Sequence, residues 1–509
     1  MNWTLKQRSS MAPSAQAATS ASVLAEACIA ERSSMRTQEP ANRSRLNAIH
    51  KACKQWQTHA LGLADQAFVS GASFLTTVLM SHWTSPSHLG IYAIGISALI
   101  SMLAIQDSLI SLPYTIQRHH PLSTSDEHAG SALMHCGLLS ALCVVFVSAT
   151  ALGLSARGSE PAMTAMMWAL AGAAPFALLR EFGRRIAFAH LHLTRALILD
   201  IAVASIQLVV LCWLGWIGLM SPGNACAAIG GACAIISILW LYLARGNFVI
   251  RADQVWPAMK RSWGLGGWLF ALQITVSVQA CIPYWLLALV AGTTATGIYA
   301  ACMSIVLFAN PLMIGIGNTL APKAALALKE GGHARLRREM ARDLLFLSST
   351  MMLFCAALFF LGEEIMRLLY HGNEYAGHGE TVMVLGLAML ASAIGMPASN
   401  ALQSMQRPQA IFWASLIGAV LTVVLVWSLM SKWGLLGAAY GFLLGNVAGT
   451  VGRWVAFQRL IPRCGSQASS AADPEENRPT LKLEIPGRAV KGLGSSNASA
   501  PAEGALART

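Results

Sequence analysis

Five charged side chains enter otherwise apolar stretches of this 509-residue chain: Asp65, Asp107, Arg180, Arg184 and Asp200. Arg180 and Arg184 stand four apart, so on a helix they share a face and can present two forked donors to a phosphate or pyrophosphate. The same two arginines can instead sit at a helix end and extend into lipid headgroups, with Glu181 pairing to Arg185 at i,i+4. Asp65, Asp107 and Asp200 carry a similar choice. They can close an ion-pair gate with those arginines or take up a coupling proton, or they can be helix-end carboxylates facing water. Uncharged polar residues reach deeper into the apolar runs: Gln207, Gln273, Gln279, Asn310, Asn400 and Asn446. These are suited to hydrogen bonding between helices or to lining a cleft. His190 and His192 have no Cys or acidic partner at ligand spacing, so no metal site is expected. No GxxxxGK[ST], HExxH or GxSxG pattern is present, so no built-in ATPase, enzyme activity or cofactor is expected.

The elements that must position these groups follow from composition. The chain is 55% hydrophobic and 11% charged, with a mean hydropathy of +0.54; soluble domains carry about a quarter charged residues. The apolar residues come in runs of about twenty, the length a helix needs to cross a bilayer core. We read an all-α polytopic membrane protein with twelve spans, near residues 61–84, 89–112, 129–154, 162–181, 197–219, 224–244, 263–291, 294–320, 344–361, 380–401, 409–430 and 435–457. Loops that would be cytoplasmic if the N-terminus is inside hold sixteen Lys and Arg, against three in the opposite loops. Both termini are therefore expected in the cytoplasm, and the net charge of +12 reflects such loops and need not mean nucleic acid, so no nucleic-acid partner is expected.

Gly90-Ile91-Tyr92-Ala93 with Ser97 recurs as Gly297-Ile298-Tyr299-Ala300 with Ser304, at the starts of spans two and eight. Six spans separate the copies, so the halves share one orientation, and two parallel six-helix lobes around a central cleft are expected. Residues 61–244 form the N-terminal lobe, 245–262 a cytoplasmic linker and 263–461 the C-terminal lobe. Residues 1–60 read as a disordered cytoplasmic extension in which Met35 is an alternative start, and 462–509 as a disordered tail. Mid-helix prolines are expected at Pro175, Pro283, Pro311 and Pro397 to bend helices beside the cleft. Gly437, Gly441, Gly445 and Gly449 form a stripe for close helix packing. The eleven cysteines form no CxxC pair and read as small buried hydrophobes.

Asp65-Gln66-Ala67-Phe68-Val69-Ser70-Gly71 with Phe74, Gly90-Ile91-Tyr92, and Gln106-Asp107-Ser108-Leu109 with Pro113-Tyr114 resemble the first spans of bacterial polysaccharide-biosynthesis membrane proteins. Leu369-Tyr370-His371-Gly372 with Tyr375, Ala401-Leu402 through Gln406-Arg407-Pro408, and Gly434 to Gly441 resemble landmarks of their second lobe. These proteins are the O-antigen and exopolysaccharide flippases of the multidrug/oligosaccharidyl-lipid/polysaccharide exporter superfamily, and the likeness covers about residues 60–460. It implies a V-shaped transporter in the bacterial inner membrane, moving an undecaprenyl-pyrophosphate-linked oligosaccharide between leaflets by alternating access. Polymerase and glycosyltransferase partners are implied with it. Such proteins are thought to line the cleft with basic residues; here Arg180 and Arg184 are placed to serve, with Arg118 a weaker third, and no cation lies at mid-depth. A multidrug or small-cation antiporter of the same superfamily is the nearest alternative, and the lack of deep Asp or Glu counts against it. A membrane polymerase or ligase would need a folded outer segment, which no outer loop is long enough to supply, and an assembly scaffold is a further alternative.

Overall fold

The computed structural model describes residues 61–117, 125–249, 252–370, 372 and 374–461. The expected extension, the tail, Arg118 and His371 lie outside the described residues. Among those described, all regular structure is helical: α1 (Leu61–Trp83), α2 (Pro86–Gln106), a π-turn (Asp107–Ser111), α3 (Leu112–Gln117), α4 (Ser125–Ala156), α5 (Pro161–Ala189), α6 (Leu193–Trp216), α7 (Pro222–Ala244), α8 (Ala252–Val290), α9 (Gly292–Val306), α10 (Asn310–Leu369), α11 (Gly379–Ser404) and α12 (Pro408–Leu460).

Punctuation residues explain the boundaries. Pro86, Pro161, Pro222 and Pro408 open their helices in the first turn, where a missing N–H removes no internal bond. Ser85 and Ser221 cap two of them by accepting from His88 N and Asn224 N. Ten helical runs are long and apolar enough to cross a membrane. Two of these are broken, at Gly331–Gly332 in α10 and at Gly434 in α12. Gly332 (φ 59°, ψ −156°) and Gly434 (φ 54°, ψ −130°) occupy a region essentially reserved for glycine. With these two breaks the runs amount to twelve crossings, and the chain is a multi-pass membrane protein.

Some expected boundaries move. The second span does not end at 112, because the π-turn inserts a residue at Asp107–Ser111 and α3 continues to Gln117. The helix that carries the ninth span runs from beyond Gly332 to Leu369 and so extends past the expected 344–361 on both sides, with Leu336 and Met340 buried in its charged first turns. Helix α8 starts at Ala252, within the expected linker. Pro311 lies in the first turn of α10, after a 3-10 turn at Leu307–Ala309, so it opens a helix rather than bending one; Pro175, Pro283 and Pro397 are interior as expected.

Two sides of the bundle can be distinguished. One, here the basic side, holds the start of α1 and the α5–α6, α7–α8 and α11–α12 connections; the far side holds the short turns at Ser85, Gly158, Gly218 and Gly292. On the far side the two repeat copies touch each other. A Cβ on Gly90 would run into Thr293 O, and one on Gly297 into Pro86 O, so α2 and α9 cross backbone to backbone. Ser87 Oγ and Thr293 Oγ1 are 2.6 Å apart. Deeper along α2, Trp285 Nε1 donates to Ser97 Oγ at 2.8 Å and Cys281 Sγ to Ser97 O at 3.4 Å. Tyr299, fully buried, meets the Tyr284 ring edge-on with centroids 5.1 Å apart. The halves are thus joined along α2, α8 and α9 from the far side inward. The expected glycine stripe packs the two halves of α12 together: Cβ atoms on Gly441 and Gly445 would collide with Val426 and Thr422.

Candidate functional site

At the basic side of the first lobe, four helical segments converge on one network of ion pairs. Arg184 on α5 is its hub. Its Nη2 donates to Asp65 Oδ2 on α1 at 2.9 Å, its Nη1 to Glu181 Oε1 at 3.0 Å, and its Nε lies 2.8 Å from Asp200 Oδ2 on α6. Arg180, one turn earlier, pairs with Asp200 and lies 3.7 Å from Glu181. Arg185 Nε lies 2.9 Å from Glu181 Oε1 and 3.1 Å from Asp107 Oδ1 on the π-turn. Gln66 Nε2 donates to Asp65 Oδ2 at 3.2 Å.

The local sequence builds this arrangement. In Arg180-Glu181-x-x-Arg184-Arg185, the i,i+4 relation puts Arg180 and Arg184 on one face, and Glu181 reaches Arg184 and Arg185 at i,i+3 and i,i+4. Gly183 lets Trp240 of α7 lie against α5, since a Cβ there would be 3.0 Å from the indole. The extra residue of the π-turn re-aims Asp107 toward Arg185, a device that recurs at functional sites. Gln106 fastens this turn to α5 by donating to Leu178 O at 2.9 Å.

Burial grades across the network. Asp65 is 1% exposed and Asp200 2%, whereas the side chains of Arg185 and Asp107 are 42% and 29% exposed. The inner pair has therefore given up water almost completely, and guanidinium groups, with the Gln66 amide at Asp65, replace it. Counted as ionised, four carboxylates face three guanidinium groups, so the network holds one negative charge in excess.

The structure brings together Asp65, Asp107, Arg180, Arg184 and Asp200, the five charges singled out in the sequence. Of the two readings open for them, snorkelling into headgroups fails for Arg184, which is 8% exposed and bound to three carboxylates. The i,i+4 pair Glu181–Arg185 does form, as one strand of the larger network. The reading of helix-end carboxylates facing water likewise fails for Asp65 and Asp200, which are 1% and 2% exposed: position along a helix measures depth in the membrane, while burial depends on which helices pack around the residue.

The deep polar residues are not brought to this site. Gln207 donates to Thr76 Oγ1 at 2.7 Å and joins α6 to α1. Gln279 donates to Thr422 Oγ1 at 3.2 Å and joins α8 to α12. Asn446 accepts from Ser392, tying α12 to α11. Asn310 opens α10, and Gln273 is half-buried on α8. Sequence reasoning did not foresee Glu181 as the acid shared by all three arginines, although its place between Arg180 and Arg184 carried the signal. It gave no role of its own to Gln106, which stood only within the Gln106-Asp107-Ser108-Leu109 stretch.

Comparison with known proteins agrees with this architecture. The MatE family matches over residues 269–428, just under a third of the chain. No curated protein matches. Among solved structures, the MATE multidrug transporter DinF-BH is similar with a TM-score of 0.62 at 17% identity, covering 79% of this chain and 94% of that one. An inward-facing multidrug resistance MATE family transporter of the MOP superfamily matches with a TM-score of 0.59 at 16% identity, with coverage of 79% and 94%. A MOP superfamily transporter from Pyrococcus furiosus, described as having a binding pocket of reverse polarity that suggests a different function, matches with a TM-score of 0.60 at 13% identity, covering 79% and 95%. The fold is that of the MATE transporters, with twelve membrane helices in two lobes.

Proposed function

We propose that the chain is a secondary transporter that exports a small amphipathic organic solute by alternating access, in exchange for a proton. The carrying observation is the buried network of Asp65, Glu181, Asp200, Arg180 and Arg184 with its one unmatched carboxylate. An excess charge held away from water is costly and is relieved by taking up a cation. Among the described residues no three His, Cys, Asp or Glu groups are arranged to hold a metal ion. A proton needs no coordination shell and suits the site better. Because the network ties α1, α5, α6 and the π-turn together, a change in its charge alters how those segments pack, which is the coupling an antiporter needs.

The MATE fold, shared with multidrug transporters, supports this reading. The lipid-linked oligosaccharide reading is less well supported. It needs Arg180 and Arg184 as free phosphate donors, and both are committed to carboxylates. By the charge asymmetry of the loops, the protein sits in a cytoplasmic membrane with its basic side inward.

The test is transport by the purified full chain in liposomes. An imposed pH gradient should drive movement of an amphipathic cationic dye, and Asp200→Asn and Asp65→Asn should each abolish gradient-driven movement while dye binding persists. Dye movement indifferent to the gradient would remove the proton from the scheme. Translocation of a lipid-linked oligosaccharide without dye transport would overturn the proposal in favour of a flippase.

A further inference from the structure

Behind the ion network, between α5, α6 and α7 of the first lobe, lies a cavity of about 680 Å³, within the size range of specific ligand sites. Its wall is apolar, formed by Ile198, Leu199, Ala202, Ile236, Leu239 and Trp240. Ile198 is 61% exposed and Leu239 51%. On a helix pair inside a bilayer, that exposure is toward lipid tails, so the cavity opens sideways into hydrocarbon.

Its basic-side mouth is different in character. His190, His192 and Arg195 line it, and Tyr114 Oη and His190 Nε2 are 3.0 Å apart across it. Arg245 follows the lining residue Ala244 and lies over the Tyr242 ring at 4.5 Å. Neither Arg195 nor Arg245 has a carboxylate partner among the described residues, in contrast to Arg180, Arg184 and Arg185, which all do. Arg195 is the third residue of α6 and Arg245 directly follows α7, so both stand where helices leave the hydrocarbon.

An apolar slot open to acyl chains, with two guanidinium groups free of carboxylates at headgroup level, is complementary to one class of molecule. We propose that this cavity is a binding site for an anionic phospholipid of the basic-side leaflet: an acyl chain lies between α6 and α7, and the phosphate pairs with Arg195 and Arg245. Basic pockets between membrane helices bind anionic headgroups on these terms. A zwitterionic lipid fits the slot equally well but brings its own cation to the mouth. Gly183, Ile186 and Ala187 of α5 line the cavity, so bound lipid props the helix that carries the ion network. The site does not depend on what the protein transports.

The test uses the purified full-length protein in detergent, titrated with phosphatidylglycerol or phosphatidylcholine of identical acyl chains, with bound lipid counted by native mass spectrometry. Wild type should hold one phosphatidylglycerol in preference to phosphatidylcholine. Arg195→Gln and Arg245→Gln should each weaken the preference about fivefold, the equivalent of the ~1 kcal/mol one basic residue contributes near a membrane surface; Arg195→Lys should keep it. Ala202→Phe, which fills the slot and leaves the mouth intact, should reduce binding of both lipids. Equal affinity of wild type for the two lipids, or full preference retained in the Arg195→Gln/Arg245→Gln double variant, would overturn the proposal. Displacement of phosphatidylglycerol by equimolar inorganic phosphate would also overturn it, reducing the site to a simple anion site.

Discussion

Arg184 is the residue whose loss discriminates best between a structural ion network and a collection of surface pairs. Its guanidinium group meets Asp65, Glu181 and Asp200 at 2.8 to 3.0 Å with 8% of the residue exposed. Exposed pairs contribute about 0–1 kcal/mol. Removing one partner of a buried pair costs about 3–5 kcal/mol, because the charge left behind is no longer solvated. In Arg184→Gln, Asp65 loses its only arginine partner among the described residues, whereas Glu181 keeps Arg185 and Asp200 keeps Arg180. The cost should therefore concentrate on Asp65, and neutralising it should recover much of the loss. We predict that Arg184→Gln lowers unfolding stability by about 3–5 kcal/mol. The double variant Arg184→Gln/Asp65→Asn should be more stable than additivity allows, by about 1–3 kcal/mol. The assay is reversible unfolding in mixed micelles of increasing denaturing detergent, with all four members of the cycle under one condition. A loss below about 1 kcal/mol in the single variant, or strict additivity in the double, would refute the reasoning.

Other outcomes follow from the contact between lobes and from the deep polar residues. Gly297→Val should prevent closure of the far side, since its side chain would occupy the place of Pro86 O; transport should be lost and Cys281, 3% exposed in this structure, should become reactive to thiol reagents. Ser101→Cys should form a disulfide with Cys281, because Ser101 Oγ already lies 3.6 Å from Cys281 Sγ. Oxidation should then stop transport and reduction restore it, and unimpaired turnover after complete oxidation would show that α2 and α8 need not separate. Gln207→Leu should cost only about 0.6 kcal/mol, the average of a hydrogen bond between membrane helices. Thr76 retains its bond to Ala72 O, so a loss above about 2 kcal/mol in the same unfolding assay would assign Gln207 a larger role than joining α6 to α1.

What the residues alone determine here is mostly local. Span number follows from apolar runs of membrane length; the positive φ at Gly332 and Gly434 that divides two of the helical runs is a finding of the structure, at residues free to adopt it. The charges that matter stand out because charge is rare in these stretches: Asp65, Asp107, Arg180, Arg184 and Asp200 were all visible, as was the repeated Gly-Ile-Tyr-Ala. Which acid meets which arginine was not. Arg184 meets Asp65 across 119 positions of chain, and Ser87 meets Thr293 across 206. Hydropathy and periodicity describe one helix at a time, so they locate a charge along a helix axis but do not rotate that helix against its neighbours. Only tertiary packing made Asp65 and Asp200 buried rather than wet, occupied the two arginines that had looked free to receive a phosphate, and set the two copies of the repeat against each other as the seam between lobes.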